Sequence, residues 1–183
     1  MSALTISKLS CLMRGTAKTQ GLFSKWNMNL SRLQNLTQND GVYVSFAGQW
    51  AQDNLDSSKK MIVGGPYTVR AYDMGALSAD SGYLGTVEIR HLLGSGRYGQ
   101  WQAVGFVDSA QVTVNQNTWA AGTNRVTLSG AGAGLNWLGP KLHWITATQL
   151  SARAYIATPV GPVPMLVGTT NSTRAWLEIG MGF

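Results

Sequence analysis

Residues 42–52, VYVSFAGQWAQ, place Val42, Val44, Phe46, Gly48 and Trp50 in one register and Tyr43, Ser45, Ala47, Gln49 and Ala51 in the other. A period of two, with β-branched and aromatic side chains in the apolar register, is the pattern of a strand with two unlike faces. The pattern recurs on both sides. Residues 26–35, WNMNLSRLQN, set Trp26, Met28 and Leu30 against Asn27, Asn29 and Ser31, with poor helical periodicity. In YLGTVEIRHLL, residues 83–93, Val87 and Ile89 oppose Thr86, Glu88 and Arg90, so one face carries ionisable groups through mid-strand. WQAVGFVDSAQVTV, residues 101–114, has Asp108 at its centre, which is unlike a turn aspartate.

Further along, 124–138 alternates more weakly through GAGAGL, where glycines permit close packing or curvature. Gly139-Pro140 reads as a turn, and the run 142–158 ends before GPVP at Gly161. In the terminal TRAWLEIGMGF, Ala175, Leu177, Ile179, Met181 and Phe183 share one face. Seven strands are predicted, centred near residues 30, 47, 87, 107, 131, 149 and 178, with an eighth candidate at 3–13. Short turns near 36–41, 94–100 and 138–141 alternate with longer connections near 54–82, 115–123 and 159–172. An antiparallel meander puts those two groups at opposite ends, as in outer-membrane barrels.

Composition narrows the function classes. The chain has 183 residues, 22 glycines and 7 tryptophans, and only 12% of its residues are charged. Its net charge of +6 is scattered singly except at Lys59-Lys60, which argues against a nucleic-acid surface. Cys11 is the only cysteine, so an internal disulfide and a Cys-based zinc site are excluded. No run approaches the ~18 apolar residues of a membrane helix, but a transmembrane strand needs only about 9–11 residues, every second one apolar. MSALTISKLSCLMRG lacks the arrangement of a signal peptide, so export information is expected elsewhere or the chain is an incomplete copy. His91 and His143 are isolated, and GSG and GAGAG lack the strand, helix and lysine of a phosphate loop. The expectation is no enzyme, no metal and no cofactor.

The segment GGPYTVRAYDMG, residues 64–75, sits between alternating runs and places Arg70 in a loop rich in glycine. VGGPYTVRAYDMG together with SADSGYLGTVEIR, GFVDSAQV, ATPVGPVP and the strand ending in Phe183 resembles the bacterial two-partner secretion transporters. These are the haemolysin activator/secretion proteins of the ShlB/FhaC/HecB family. The resemblance covers residues 23–183 and leaves 1–22 as an uncertain N-terminal segment or partial strand. It implies an all-β fold: the C-terminal part of an antiparallel, sixteen-stranded transmembrane β-barrel with a long loop re-entering the lumen. The family places two periplasmic domains and the earlier strands upstream, so the 183 residues are expected to be a C-terminal fragment or a truncated gene product.

The resemblance also implies roles for residues. The family's Val-Arg-Gly-Tyr loop motif falls on Val69, Arg70, Ala71 and Tyr72, with Tyr72 against the inner wall and Asp80 organising the loop. Its Phe-X-Asp-X-Gly wall motif falls on Phe106 to Ala110, so that Arg70 is expected to meet Asp108. A guanidinium offers a carboxylate a fixed fork of donors, and enclosure weakens solvent competition. Ala71 and Ala110 each stand where the family has glycine, which narrows the backbone freedom at the loop tip. Glu88 and Arg90 are expected on the inner face, organising the loop, lining the substrate route or making local pairs, and Leu177, Ile179, Met181 and Phe183 form the outer-membrane insertion signature. The expected activity is secretion of an unfolded exoprotein of the haemolysin or adhesin type from a multi-pass position in the bacterial outer membrane. Its expected partners are that exoprotein, membrane lipid and the barrel-assembly machinery, with no nucleic acid. The alternatives are a small outer-membrane structural barrel or passive pore and, less favoured, a soluble β-sandwich.

Overall fold

The computed structural model describes residues 24–118, 121–142, 148–168 and 172–182. The expected strand at 3–13, Cys11, His143 and Phe183 lie outside the described residues. Among the described residues nine strands form in chain order: β1 (Lys25–Asn35), β2 (Asp40–Ala51), β3 (Met61–Val63), β4 (Leu77–Ala79), β5 (Ser81–Gly96), β6 (Gly99–Thr113), β7 (Arg125–Leu142), β8 (Thr148–Pro159) and β9 (Arg174–Gly182). Seven make one antiparallel sheet in the order β1-β2-β5-β6-β7-β8-β9, while β3 and β4 pair only with each other.

The alternation sets the register. Val44 pairs with Val87, Val87 with Val107 and Val107 with Ala131, so a row of aliphatic side chains crosses one face. On this face Trp26, Ile89, Val107 and Ile179 are exposed. The adjacent row, Tyr43, Glu88, Phe106, Gly132 and Ala157, projects from the other face. A one-residue slip would exchange the two sets, which is why so strict an alternation pins the pairing.

The core lies between this second face and the long connection from β2 to β5. Val63, Val69, Ala71, Tyr72, Leu77 and Ala79 of the connection meet Val104, Phe106, Val112, Val126, Leu128 and Ala157 of the sheet. The short β3–β4 ladder, Met61 to Ala79 through Val63 to Leu77, makes the connection a hairpin with residues 64–76 at its tip. A three-residue strand is too short to register as alternation, so sequence reading missed it.

Glycines bring the hairpin close. A Cβ on Gly130 of β7 would stand 2.4 Å from the Ala71 Cβ, and one on Gly132 would stand 2.5 Å from the Phe106 ring. On Gly134 it would meet the Tyr155 ring at 2.2 Å. These three same-face glycines open a lane along β7.

Two expectations need correction. First, the sheet is open: among the described residues neither β1 nor β9 has a second neighbour. A barrel requires the first and last strands to share a ladder. The expected transmembrane β-barrel is therefore not formed by these seven strands, and the multi-pass outer-membrane placement that rested on closure falls with it. Alternation specifies faces and neighbours but does not specify closure. Second, Gly139-Pro140 is not a turn, for it lies inside β7, where the register with β8 shifts between Leu138 and Lys141. Proline supplies no ladder donor, and the strand absorbs this as an irregularity rather than reversing.

The fully buried Leu128 packs in the core between sheet and hairpin. Leu128→Ala should cost about 2–5 kcal/mol. The check is the denaturant midpoint of the folded chain, with Leu177→Ala on the exposed face as the comparison that should move it far less.

Candidate functional site

The hairpin tip is shaped by its own backbone. Gly64 and Gly65 adopt φ of 105° and 111°, a region open to glycine. The Gly65 N–H donates to the Tyr72 carbonyl at 3.0 Å, and the Gly64 N–H to the Thr68 hydroxyl at 2.8 Å. A turn closed by the Tyr72 N–H on the Val69 carbonyl, 3.2 Å, presents Arg70 to the sheet.

Arg70 and Asp108 are brought together. Arg70 Nε donates to Asp108 Oδ2 and Nη2 to Oδ1, each at 2.8 Å, and the Arg70 backbone N–H adds a bond to Oδ2 at 3.1 Å. Its remaining terminal nitrogen, Nη1, donates to Glu88 Oε1 at 2.8 Å. Thr86, paired with Asp108 across the β5–β6 ladder, donates its hydroxyl to Oδ1 at 3.0 Å. Asp108 is fully buried, and Arg70 and Glu88 are nearly so. Arg90 continues the chain, donating from Nε and Nη2 to Glu88 Oε2 at 2.9 and 2.6 Å. Two cations thus face two carboxylates, and this satisfied pairing is what makes buried charge tolerable.

Aromatic rings complete the seat. The Arg70 guanidinium carbon lies 3.4 Å from the Phe106 ring centroid and 5.3 Å from that of Tyr155, and the two rings meet edge to face at 5.7 Å. Arg90 likewise lies 4.5 Å from the Tyr43 ring centroid. A flat guanidinium stacks on a π face while its edge stays free for carboxylates, a combination lysine cannot reproduce. Val69, Ala71 and Tyr72 are buried in the core, and Ala71 sits over Gly130.

Asp80 occupies a different place, at the hairpin stem. Fully buried, it accepts the Leu55 N–H at 3.1 Å and the Gln116 N–H at 2.8 Å, and pairs with Lys60 Nζ at 3.0 Å. Gln49 donates to its carbonyl at 3.0 Å. Leu177, Ile179 and Met181 stand on the exposed opposite face, remote from both clusters.

Sequence reading missed the partners supplied by β9. Trp176 Nε1 donates to the Arg70 carbonyl at 2.7 Å. Arg174 grips Asp73 with Nε at 2.6 Å and Nη2 at 3.0 Å. No local pattern ties residues about a hundred positions apart, though the placement of Arg174 and Trp176 in the polar register of the last strand is a signal. Beside the hairpin tip lies a polar cavity of about 570 Å³, bordered by Tyr43, Arg70, Glu88, Arg90, Arg153 and Glu178. Among the described residues no group of three or more His, Cys, Asp or Glu could hold a metal ion. His91 contacts Asp40 at 2.6 Å. The arrangement is suited to holding a loop on a polar wall.

An open antiparallel sheet with an arginine-bearing hairpin folded onto one face defines an all-β class, and comparison with known proteins gives the family. The sequence pattern of the haemolysin secretion/activation proteins ShlB/FhaC/HecB matches residues 9–137, well over half of the chain, and the chain belongs to that family. At the level of the family its role is in two-partner-type secretion, and it is not an enzyme. Heme/hemopexin transporter protein HuxB of Haemophilus influenzae strain Rd is 38% identical over 74 residues, covering 40% of this chain and 13% of that protein. The same protein of strain 86-028NP matches equally. CdiB from Escherichia coli superposes with a TM-score of 0.72 at 20% identity, over 90% of this chain and 29% of that one, which establishes a shared fold. The matches thus span 13% of these curated relatives and 29% of that structure.

Two outcomes follow from the geometry. Asp108→Asn removes half of a buried pair and should destabilise the fold by about 3–5 kcal/mol, read from denaturant unfolding, with Thr86→Val costing less. At the exposed Asp73, the hydrogen bond from Arg174 and then its charge hold the carboxyl below its ordinary 3.8. Because the folded value is depressed, the Asp73–Arg174 link is fully present above pH 3.8 and is lost as pH falls through the lower folded value. A carboxyl-carbon NMR titration should place the Asp73 midpoint below 3.8, and Arg174→Gln should return it towards 3.8.

Proposed function

We propose that this chain is the loop-bearing part of a two-partner secretion transporter that passes an unfolded exoprotein of the haemolysin or adhesin type outward at the outer membrane. It would do so with residues beyond the matched span, including periplasmic domains that receive the exoprotein. The observation that carries the reading is the Arg70 hairpin, laid across the polar face of the sheet and fastened to Asp108 and Glu88 beside the cavity.

A transporter needs a path lined by groups that do not retain an unfolded chain, and a means of keeping that path shut when no chain is present. The cavity border mixes Arg90, Arg153, Glu88 and Glu178 with Tyr43 and Gln102, so neither sign of charge dominates. Such a surface gives a passing polypeptide many weak polar contacts and no single strong one. The hairpin supplies the closure. Its apolar side is buried on the sheet, while its arginine is held by pairing that can be exchanged only in one concerted step, because a half-broken pair leaves a charge buried. That makes the seated state well defined.

A charge exchange tests this reading. Arg70→Asp and Asp108→Arg should each lower release of an epitope-tagged haemolysin-type exoprotein into the medium at least tenfold. The double variant should recover part of it, incompletely because Glu88 would then face Asp at position 70. Folded protein is followed in parallel by protease resistance. A double variant no better than the worse single one, with the protein still folded, would remove support for a pairwise lock.

A further inference from the structure

The hairpin leaves the sheet between β2 and β5, yet its tip reaches β9, four ladders beyond β5. At about 4.8 Å between neighbouring strands, that is a reach of roughly 19 Å. On the way the tip touches every intervening strand: Glu88 on β5, Asp108 and Phe106 on β6, Gly130 on β7 and Tyr155 on β8. On β9 the contacts follow the strand's own period. Arg174 holds Asp73 and Trp176 holds the Arg70 carbonyl. Glu178, the next residue in that register, borders the same cavity as Tyr67. Arg174 and Trp176, two apart on the strand, thus address Asp73 and Arg70, three apart on the hairpin.

Arg70 is the common element, since its side chain binds β5 and β6 while its own carbonyl binds β9. We propose that Arg174 and Trp176 are positioning residues for the Arg70 site, and that the hairpin tip and the edge strand β9 form one latch whose two halves are reciprocally coupled. Among the described residues β9 has a single strand neighbour, β8. Among the described residues the hairpin gives β9 a second line of attachment on that face, and loosening either half must loosen the other by the same factor in equilibrium terms. The coupling rests on contact geometry and stands apart from the secretion reading.

Amide hydrogen exchange of the whole folded chain tests it without any transport assay. Trp176→Phe keeps the ring and removes the indole donor, and it should speed exchange in residues 65–75 about tenfold, the loss of one good hydrogen bond. Asp73→Asn lies on the hairpin side and is exposed, so its effect is smaller, about threefold, but it should appear in β9 at residues 174–178 as well as in the hairpin. The charge-exchanged pair Asp73→Arg with Arg174→Asp should restore protection in both segments. Exchange in the paired parts of β5 to β7 should stay within twofold of the starting protein. The proposal is overturned if Asp73→Asn speeds the hairpin and leaves β9 unchanged. It is equally overturned if both variants raise exchange uniformly through all strands, which would mark general destabilisation.

Discussion

Everything on the polar face of this sheet depends on burying one guanidinium. Arg70 brings a full charge to a nearly buried position at the border of the polar cavity, flanked in the hairpin by the core residues Val69, Ala71 and Tyr72. Such a charge is tolerable only if it is paired and hydrogen-bonded, and the sheet provides an acceptor for each guanidinium nitrogen. Asp108 and Thr86 are cross-strand partners, and Glu88 lies two residues along from Thr86 on the same face. The apolar packing and the ion pairing therefore stabilise each other. Packing of the hairpin limits the solvent that would weaken the pairing, and the pairing fixes the hairpin over the carboxylates that neutralise its arginine.

Much of the sheet was legible in the sequence, because a period-two pattern with glycine-rich punctuation translates directly into strands and neighbours. Val44 and Val87 each fell in the apolar register of their own run, and with Val107 they share one row in space. The meeting of Arg70 with Asp108 came from a resemblance rather than from spacing, since no local rule links positions 38 residues apart. Asp80 was expected in the same loop system. It lies at the stem of that hairpin, where two backbone N–H groups and Lys60 use its carboxylate.

What the sequence concealed has physical reasons. Closure of a sheet is a property of its first and last strands together, and alternation within each strand carries no information about it. Gly139-Pro140 has the composition of a turn, but neighbouring strands hold β7 extended through it, and Gln149 donates to the Gly139 carbonyl at 2.9 Å. Tertiary pairing overrode local preference there. Trp176 looked like one tryptophan among seven, because its use depends on a carbonyl more than a hundred residues away.

The lane of Gly130, Gly132 and Gly134 has a consequence for how this surface can vary. At those positions β7 contributes contour rather than contacts, and Ala71, Phe106 and Tyr155 occupy the room that three missing side chains leave. A wall built from side chains can be rewritten one residue at a time, with each loss partly made good by its neighbours. A recess has no such graded alternatives, because the smallest addition already collides with what fills it. The hairpin's seat is thus defined on β7 by absence, and drift in sequence is confined most tightly where the strand has least to show.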